Sequence, residues 1–408
     1  MSEIAVIGAG VTGINAAYFL AKKGHKVTVF ENEKYAGMAT SFSNGAQISA
    51  CNSETWNNLE IVSRGLKSMF KSDAPLYIRP FPDFSDLSGT FSKYMWLGEF
   101  FFASLSGDYK KNSEKIFSMA LKSRELYLKI IEEENLEFDF LQKGILQYFE
   151  SETELEKMHT KKEWIESIGV EWDRLSFEEI VELEPALANN KSIVGGIYTK
   201  SDATGDIHKY CVELGKVLKN KYSVIFKYGQ PVQDISGQDK PILVTENYEH
   251  TFDKVVISAG VTTEQFKKKF GDNFRIYPAK GYSITIDLDE ESQKAAPFVS
   301  LKDESNKLVC SRLGNRLRVA GTVELDGYNK DIRENRVKPL LKWVNNVFPK
   351  ISTENYLPWT GLRPMTPNMM PIVQASKRKN IYYNSGHGIL GWTLGTSTAK
   401  SLSDLISD

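Results

Sequence analysis

The chain has 408 residues, 41% of them hydrophobic, with 51 Lys and Arg against 52 Asp and Glu. That length predicts two core-bearing units rather than one, and the apolar content excludes a disordered chain. The balanced charge excludes an overall field able to hold nucleic acid or an anionic membrane, so partners must be recognised locally.

The first predicted unit lies in IAVIGAGVTGINAAYFLAKKGHKVTVFE, residues 4–31. Ile4 to Ile7 read as an apolar strand, Gly8, Gly10 and Gly13 as GxGxxG, and a helical period begins at once through Ala17 and Leu20. Gly24 stops the helix, and Val27 to Phe30 form a second strand whose end presents Glu31. Gly8 allows the tight turn, Gly10 the approach of a pyrophosphate, Gly13 close helix packing, and Glu31 suits a ribose hydroxyl. The helix start supplies N–H groups and a positive dipole end for phosphates. The order strand, glycines, helix, strand, acid predicts dinucleotide binding, which NAD and FAD share. Glu3 in place of a basic leader and Asn15 within the apolar run argue against an export signal.

The segment AGMATSFSNGAQIS, residues 36–49, is small, hydroxyl-rich and irregular, which suits wrapping a permanently held flavin. Residues 85–135 and 151–190 read mostly helical. Within them YMWLGEFFFASL, residues 94–105, is too short to span a bilayer and is expected in a core rather than on a surface-seeking helix. In GDIHKYCVELGKVLKN the apolar spacing predicts a helix with Asp206 as its N-cap. YSVIFKYGQPVQDI and FDKVVISAG predict strands that complete the nucleotide sheet, the second ending in Ala259 and Gly260, where backbone can lie close to a cofactor.

From Tyr277 to Val323 the strands read as an antiparallel meander turning at Gly314 and Asn315, a natural wall for a substrate pocket. Residues 331–348 predict an amphipathic helix. Arg363, in GLRP, offers a planar fork for a carboxylate. Tyr282, in KGYS, either adds a hydroxyl to that carboxylate, shields the flavin or belongs to the core, and Lys280 is equally open. The glycines 386, 388, 391 and 395 of NSGHGILGWTLG surround a helix start able to face a flavin pyrimidine, with His387 as a local hydrogen-bonder. Cys51, Cys211 and Cys310 are few, odd and far apart, which predicts buried thiols in a reducing compartment, with no disulfide framework or zinc site.

ENEKYAGMATSFSNGAQIS resembles the corresponding stretch of the FAD-dependent D-amino-acid dehydrogenases, within the D-amino-acid oxidase and glycine oxidase group. APLYIRP (74–80), LEFDFLQKGILQYF (136–149), DATGDIHKY (202–210), YPAKGYSIT (277–285), RLRVAGTVELDGY (316–328), WTGLRPMTPNMMPIV and IYYNSGHGILGWTLG follow in the same order over nearly the whole chain. The chain departs at the aromatic region 81–120, at Cys51 and Asn52, and at the bulky NMM of 368–370.

The resemblance implies an α/β fold, a Rossmann-like FAD-binding domain interleaved with an α+β substrate domain containing an antiparallel sheet. The expected division is 1–50, 191–265 and 355–408 for FAD, and 51–190 and 266–354 for substrate. It implies oxidative deamination of D-amino acids to 2-oxo acids and ammonia by hydride transfer from Cα to flavin N5. Electrons would pass to a quinone or other acceptor, from a cytoplasmic protein in peripheral contact with the cell membrane. Expected FAD contacts are Gly8, Gly10, Val11, Thr12, Gly13, Glu31 and Asn32, then Thr40, Ser41, Asn44, Gly45, Ala46 and Gln47. Val232, Ala259, Gly260, Gly361, Gly386, Gly388, Ile389, Leu390, Gly391 and Thr393 complete them. Arg363 and Tyr282 are the expected substrate residues. The alternatives are an amine oxidase for glycine, sarcosine or a cyclic imino acid, and a non-catalytic flavin-binding protein; a nicotinamide dehydrogenase fits less well.

Overall fold

The computed structural model describes residues 1–68, 75–79 and 87–407. Ala74 and Pro80 of APLYIRP, residues 81–86 of the aromatic region, and with them the start of the helical stretch at 85 and 86, lie outside those residues.

Strand β1 (Glu3–Ile7) buries Ile4, Ala5, Val6 and Ile7 and runs parallel to β2 (Lys26–Glu31) on one side and to Lys254–Ile257 on the other. Such an unbroken apolar strand fits the middle of a sheet covered on both faces. The sheet continues with Ile225–Tyr228 beyond β2, and with Ile381–Ser385 and the antiparallel Ile372–Ala375 beyond Lys254–Ile257. On one face pack α1 (Val11–Lys22) and the helices Tyr109–Glu134, Ile207–Lys221 and Gly391–Ser407, through Ile14, Leu20, Tyr127, Leu214 and Trp392. Phe252, Phe266 and Phe270 fill the other. Asp206 caps its helix as its position predicts, accepting from the N–H groups of His208 and Lys209 at 3.0 and 3.2 Å.

A larger sheet of nine strands among the described residues stands beside the first. Its order runs Tyr356–Met365, Tyr277–Asp287, Arg316–Leu325, Leu308–Leu313, Ser300–Asp303, Ile145–Phe149, Gly195–Thr199, Asp173–Leu175, with Leu76–Ile78 beside Arg316–Leu325. The predicted turn at Gly314 and Asn315 joins two of these strands, with Gly314 at φ 60°. Helix Glu334–Val347 covers one face, packing Val337, Leu340 and Trp343 against Tyr282, Ile284 and Val319. The opposite face meets the irregular loop after β2: Ser283 Oγ donates to Ser43 O at 2.7 Å, Ser311 Oγ to Gly45 O at 2.9 Å, and Arg318 Nη1 to Asn44 O at 3.3 Å.

Three expectations are corrected. Gly195–Thr199 and Tyr356–Met365, expected in the FAD unit, pair instead within the larger sheet, Tyr356–Met365 lying against Tyr277–Asp287 over ten residue pairs. Those pairings join segments far apart in sequence, which local pattern does not reveal. Of the strands expected to complete the nucleotide sheet, Asp234–Ser236 pairs in a separate antiparallel sheet with Ile242–Val244 and Glu249–Thr251. The third concerns helix Leu87–Leu105, which buries Lys93, Trp96 and Ser104 while Phe101 and Phe102 stay 43% and 71% exposed. Its Trp96 Nε1 donates to Met365 O at 2.9 Å. The segment is apolar all round, so one side suffices to dock it and the other is left outside. The three cysteines are buried free thiols, and burial pushes Cys51 up to about 12.

Candidate active site

The three glycines after β1 have different reasons. A Cβ at Gly8 would stand 2.5 Å from Ser258 O, and Gly8 has φ 100°. At Gly13 it would stand 1.9 Å from Gly8 O, so α1 can touch the strand turn only without a side chain there. Gly10 has ordinary extended dihedrals (φ −70°, ψ 177°), and a Cβ on it would meet only Ser41 Oγ, at 3.5 Å. Nothing among the described residues requires glycine at position 10. The open space beside it, at the start of α1, fits a pyrophosphate.

Around that space the expected residues converge. Ser41 Oγ accepts from Val11 N at 3.1 Å, capping α1 from thirty residues away, while Thr12 and Gly13 complete the first turn. Glu31 ends β2, accepting from Ala9 N at 2.5 Å and Glu33 N at 2.9 Å. Burial holds its carboxyl above the usual range against those two bonds, and its remaining lone pairs can take ribose hydroxyls. Asn32 follows it, just past the carboxyl end of the strand. Gln230 N donates to Glu31 O at 3.0 Å, which brings the loop carrying Val232 beside the same strand end. Ser258 N donates to Ile7 O at 2.9 Å, so Ala259 and Gly260 border the Gly8 turn.

The loop 40–47 is held from both sides. Thr40 Oγ1 donates to Leu362 O at 2.7 Å, and Gln47 Nε2 donates to Ser300 Oγ at 2.8 Å. Asn44 Oδ1 accepts from Ala46 N at 2.9 Å, supporting the positive φ of Ala46 (63°). A Cβ on Gly45 would stand 2.6 Å from Val309 Cγ2, so the loop lies flat on the larger sheet. Thr40 and Gln47 therefore spend their side chains on protein and have mainly backbone to offer a cofactor.

The C-terminal glycines form the other side. Gly386 and Gly388 have φ 74° and 54°, Gly388–Leu390 is a 3-10 turn carrying Ile389, and Gly391 starts the last helix, whose Thr393 Oγ1 accepts from Ser49 N at 3.4 Å. His387 is buried and its Nε2 is 2.8 Å from Thr398 Oγ1; burial lowers it to about 3, so it is a neutral structural link. A bridge between Met365 and His387 ties this loop to the strand that carries Arg363.

Arg363 lies across Gly281 of the neighbouring strand, where a Cβ would fall 2.1 Å from its Cζ. Paired with Gly281 is Gly361, over which the Trp359 ring lies. The guanidinium keeps part of its surface open, yet the protein packed around it lowers it to about 10, and burial is the sole cause. Among the described residues no carboxylate faces it; Nη1 donates to Thr322 O at 2.9 Å. Thr322 sits at a β-bulge between the pairs Lys280–Glu324 and Tyr282–Gly321, with φ 60°. For a β-branched residue that conformation costs on the order of 1–3 kcal/mol. The bulge turns its carbonyl toward the arginine. Neither Gly281 nor Thr322 was among the expected site residues; a glycine inside a strand pattern signals close approach, but nothing in the sequence marks the bulge.

Tyr282 does not join Arg363. Three residues from Ala279, the partner of Arg363, it points to the opposite face of the sheet and donates to Glu324 Oε2 at 3.0 Å. Burial and the Glu324 carboxylate push its phenol pKa up, and Lys280 and Arg333 pair with the same carboxylate, the former at 3.7 Å. It is a core tyrosine under helix Glu334–Val347.

Residues 3–405 match the model of the DAO family, FAD-dependent oxidoreductases. The chain belongs to that family. Its cofactor is FAD. The chain is 41% identical to D-amino acid dehydrogenase 3 of Mesorhizobium japonicum, over all of this chain and 97% of that one. It is 37% identical to the D-amino acid dehydrogenase of Dechloromonas aromatica, over 99% and 97%. Among solved structures it resembles glycine oxidase from Bacillus cereus (TM-score 0.74, 19% identity, 100% of this chain and 95% of that one) and L-proline dehydrogenase from P. horikoshii (0.72, 16%, 100% and 93%) in fold.

Of the three glycines after β1, Gly10 is the one with open space beside it, and Gly10→Val fills that space. The variant is expected to fold with an unchanged circular dichroism spectrum and to purify without bound FAD, whereas a yellow, stoichiometrically loaded variant would place the pyrophosphate elsewhere.

Proposed function

We propose that this chain oxidises D-amino acids and passes the electrons to a quinone-type acceptor at a membrane face. The observation that carries the substrate reading is Arg363, a half-buried cation with no carboxylate of its own among the described residues and a fork matched to one. The names of the relatives supply the D-amino acid. Bound FAD supplies the acceptor for the two electrons and the hydrogen leaving Cα.

The protein's own part is to hold and orient. Arg363 takes the substrate carboxylate and turns Cα toward the cofactor side of the sheet, and Gly281 and Gly361 leave the room for it to do so. Fixing two reactants in this way supplies much of a rate enhancement without an acid or base. His387 is neutral and committed to Thr398, and Tyr282 is on the far face, so neither takes a proton from the amine. An anaerobic screen of the holoprotein against D- and L-amino acids should bleach the flavin with D-isomers alone. Arg363→Leu should keep FAD and lose about 2–5 kcal/mol of kcat/KM through removal of a charged bidentate contact. Bleaching by L-isomers or by glycine alone, or normal kinetics in the variant, contradicts the reading.

Helix Leu87–Leu105 supports the acceptor reading. Leu87, Phe91, Tyr94, Met95, Phe101, Phe102 and Leu105 are exposed at positions that recur on one side of the helix, a single apolar stripe. Among the described residues no helix is long and apolar enough to cross a membrane, so such a stripe would lie in the interface. Phe101→Ser with Phe102→Ser should weaken vesicle binding at least tenfold, on the scale of about 1.5–3 kcal/mol for each buried phenylalanine, and leave the melting temperature unchanged. Quinone or dye reduction should outrun peroxide formation. Equal vesicle binding by the double variant, or rapid stoichiometric peroxide, would remove the membrane-acceptor assignment.

A further inference from the structure

We propose that the Thr322 hydroxyl is a second anchor for the substrate carboxylate beside Arg363. The inference rests on the reading that the substrate is an α-amino acid and goes beyond it in assigning a residue.

Thr322 is 7% exposed, and its Oγ1 is buried with no hydrogen-bond partner among the described residues. Leaving a hydroxyl in that state is costly, because folding has stripped its water without replacing it. Its place in the sheet is beside the arginine: Thr322 and Val323 together stand opposite Gly281, the glycine across which Arg363 lies, and Ala320 just before the bulge faces the cofactor loop, its Cβ 4.0 Å from where a Cβ of Gly45 would be. The carbonyl of the same residue already holds Arg363 Nη1 at 2.9 Å.

The chemistry of the missing partner follows from that neighbour. A guanidinium only donates hydrogen bonds, so the Thr322 proton must go to a third group. A group that accepts from both is rich in lone pairs and attracted by the arginine charge, which describes a carboxylate. An ammonium would be repelled by the same cation. The hydroxyl and the carbonyl that holds Arg363 belong to one residue, so the bulge that bends the carbonyl to the arginine keeps the side chain close to it as well.

The test uses holoprotein and two variants. Thr322→Val removes the hydroxyl at nearly constant volume; Thr322→Gly removes it while relieving the positive φ, so it keeps the fold if the valine does not. Titration with propionate, followed by the flavin absorbance, should show affinity falling on the order of tenfold to a hundredfold in both variants. KM for the best D-amino acid should rise by a similar factor with little change in kcat, and Thr322→Ser should restore both. Wild-type propionate affinity in both variants overturns the proposal. So does loss in the valine variant alone with the glycine variant at wild-type affinity, which would assign the effect to packing. Hydroxyl-dependent propionate binding in a protein that oxidises no D-amino acid would uphold the carboxylate site and sink the D-amino acid reading instead.

Discussion

A half-buried guanidinium with no counter-ion among the described residues is the constraint on which the rest of this site depends. Removing a charge from water costs several kcal/mol unless something replaces the solvent. Here a single backbone carbonyl does so in part, and that carbonyl is available only because Thr322 occupies a backbone region that a β-branched residue rarely visits. Two paired glycines, 281 and 361, remove the side chains that would otherwise block the arginine and the tryptophan beside it. These features have local costs and no visible structural return. The carboxylate of the proposed substrate would supply the return.

The cofactor cradle and the arginine are mechanically one unit although they belong to different sheets. The loop 40–47 caps α1 through Ser41, bonds the arginine strand through Thr40, and lies on the larger sheet through Ser43, Gly45 and Gln47. On the opposite side the Met365–His387 bridge joins the end of the arginine strand to the C-terminal glycine turn. If FAD seats against that loop and turn as proposed, the same contacts fix where Arg363 stands relative to it, the precision that orientation-based catalysis requires.

What was legible in the sequence was what is local. The unit from Ile4 to Glu31 declares itself because its strands, turn and helix adjoin in the chain, and Asp206 and the Gly314 turn are recognisable for the same reason. Arg363 stands out in the sequence through its residue type and motif, and the structure shows it without a carboxylate partner among the described residues. Tyr282 was not placed, because Tyr277–Asp287 is buried on both faces along nearly its whole length and its apolar run hides which alternate residues face the site. The exposed stripe at Phe101 and Phe102 was misjudged because an all-round apolar helix looks the same whether it is enclosed or docked by one side. The sheet membership of Tyr356–Met365 and the bulge at Thr322 depend on pairing between distant segments, for which a single sequence carries no local sign.

A crystal structure of the holoprotein with a non-reactive carboxylate bound, such as anthranilate, tests the central claim most directly. The account predicts the carboxylate oxygens within hydrogen-bond distance of Arg363 Nη atoms, with the guanidinium still over Gly281 and still bonded to Thr322 O. A guanidinium paired with a carboxylate of the protein, and the ligand bound away from it, would contradict it.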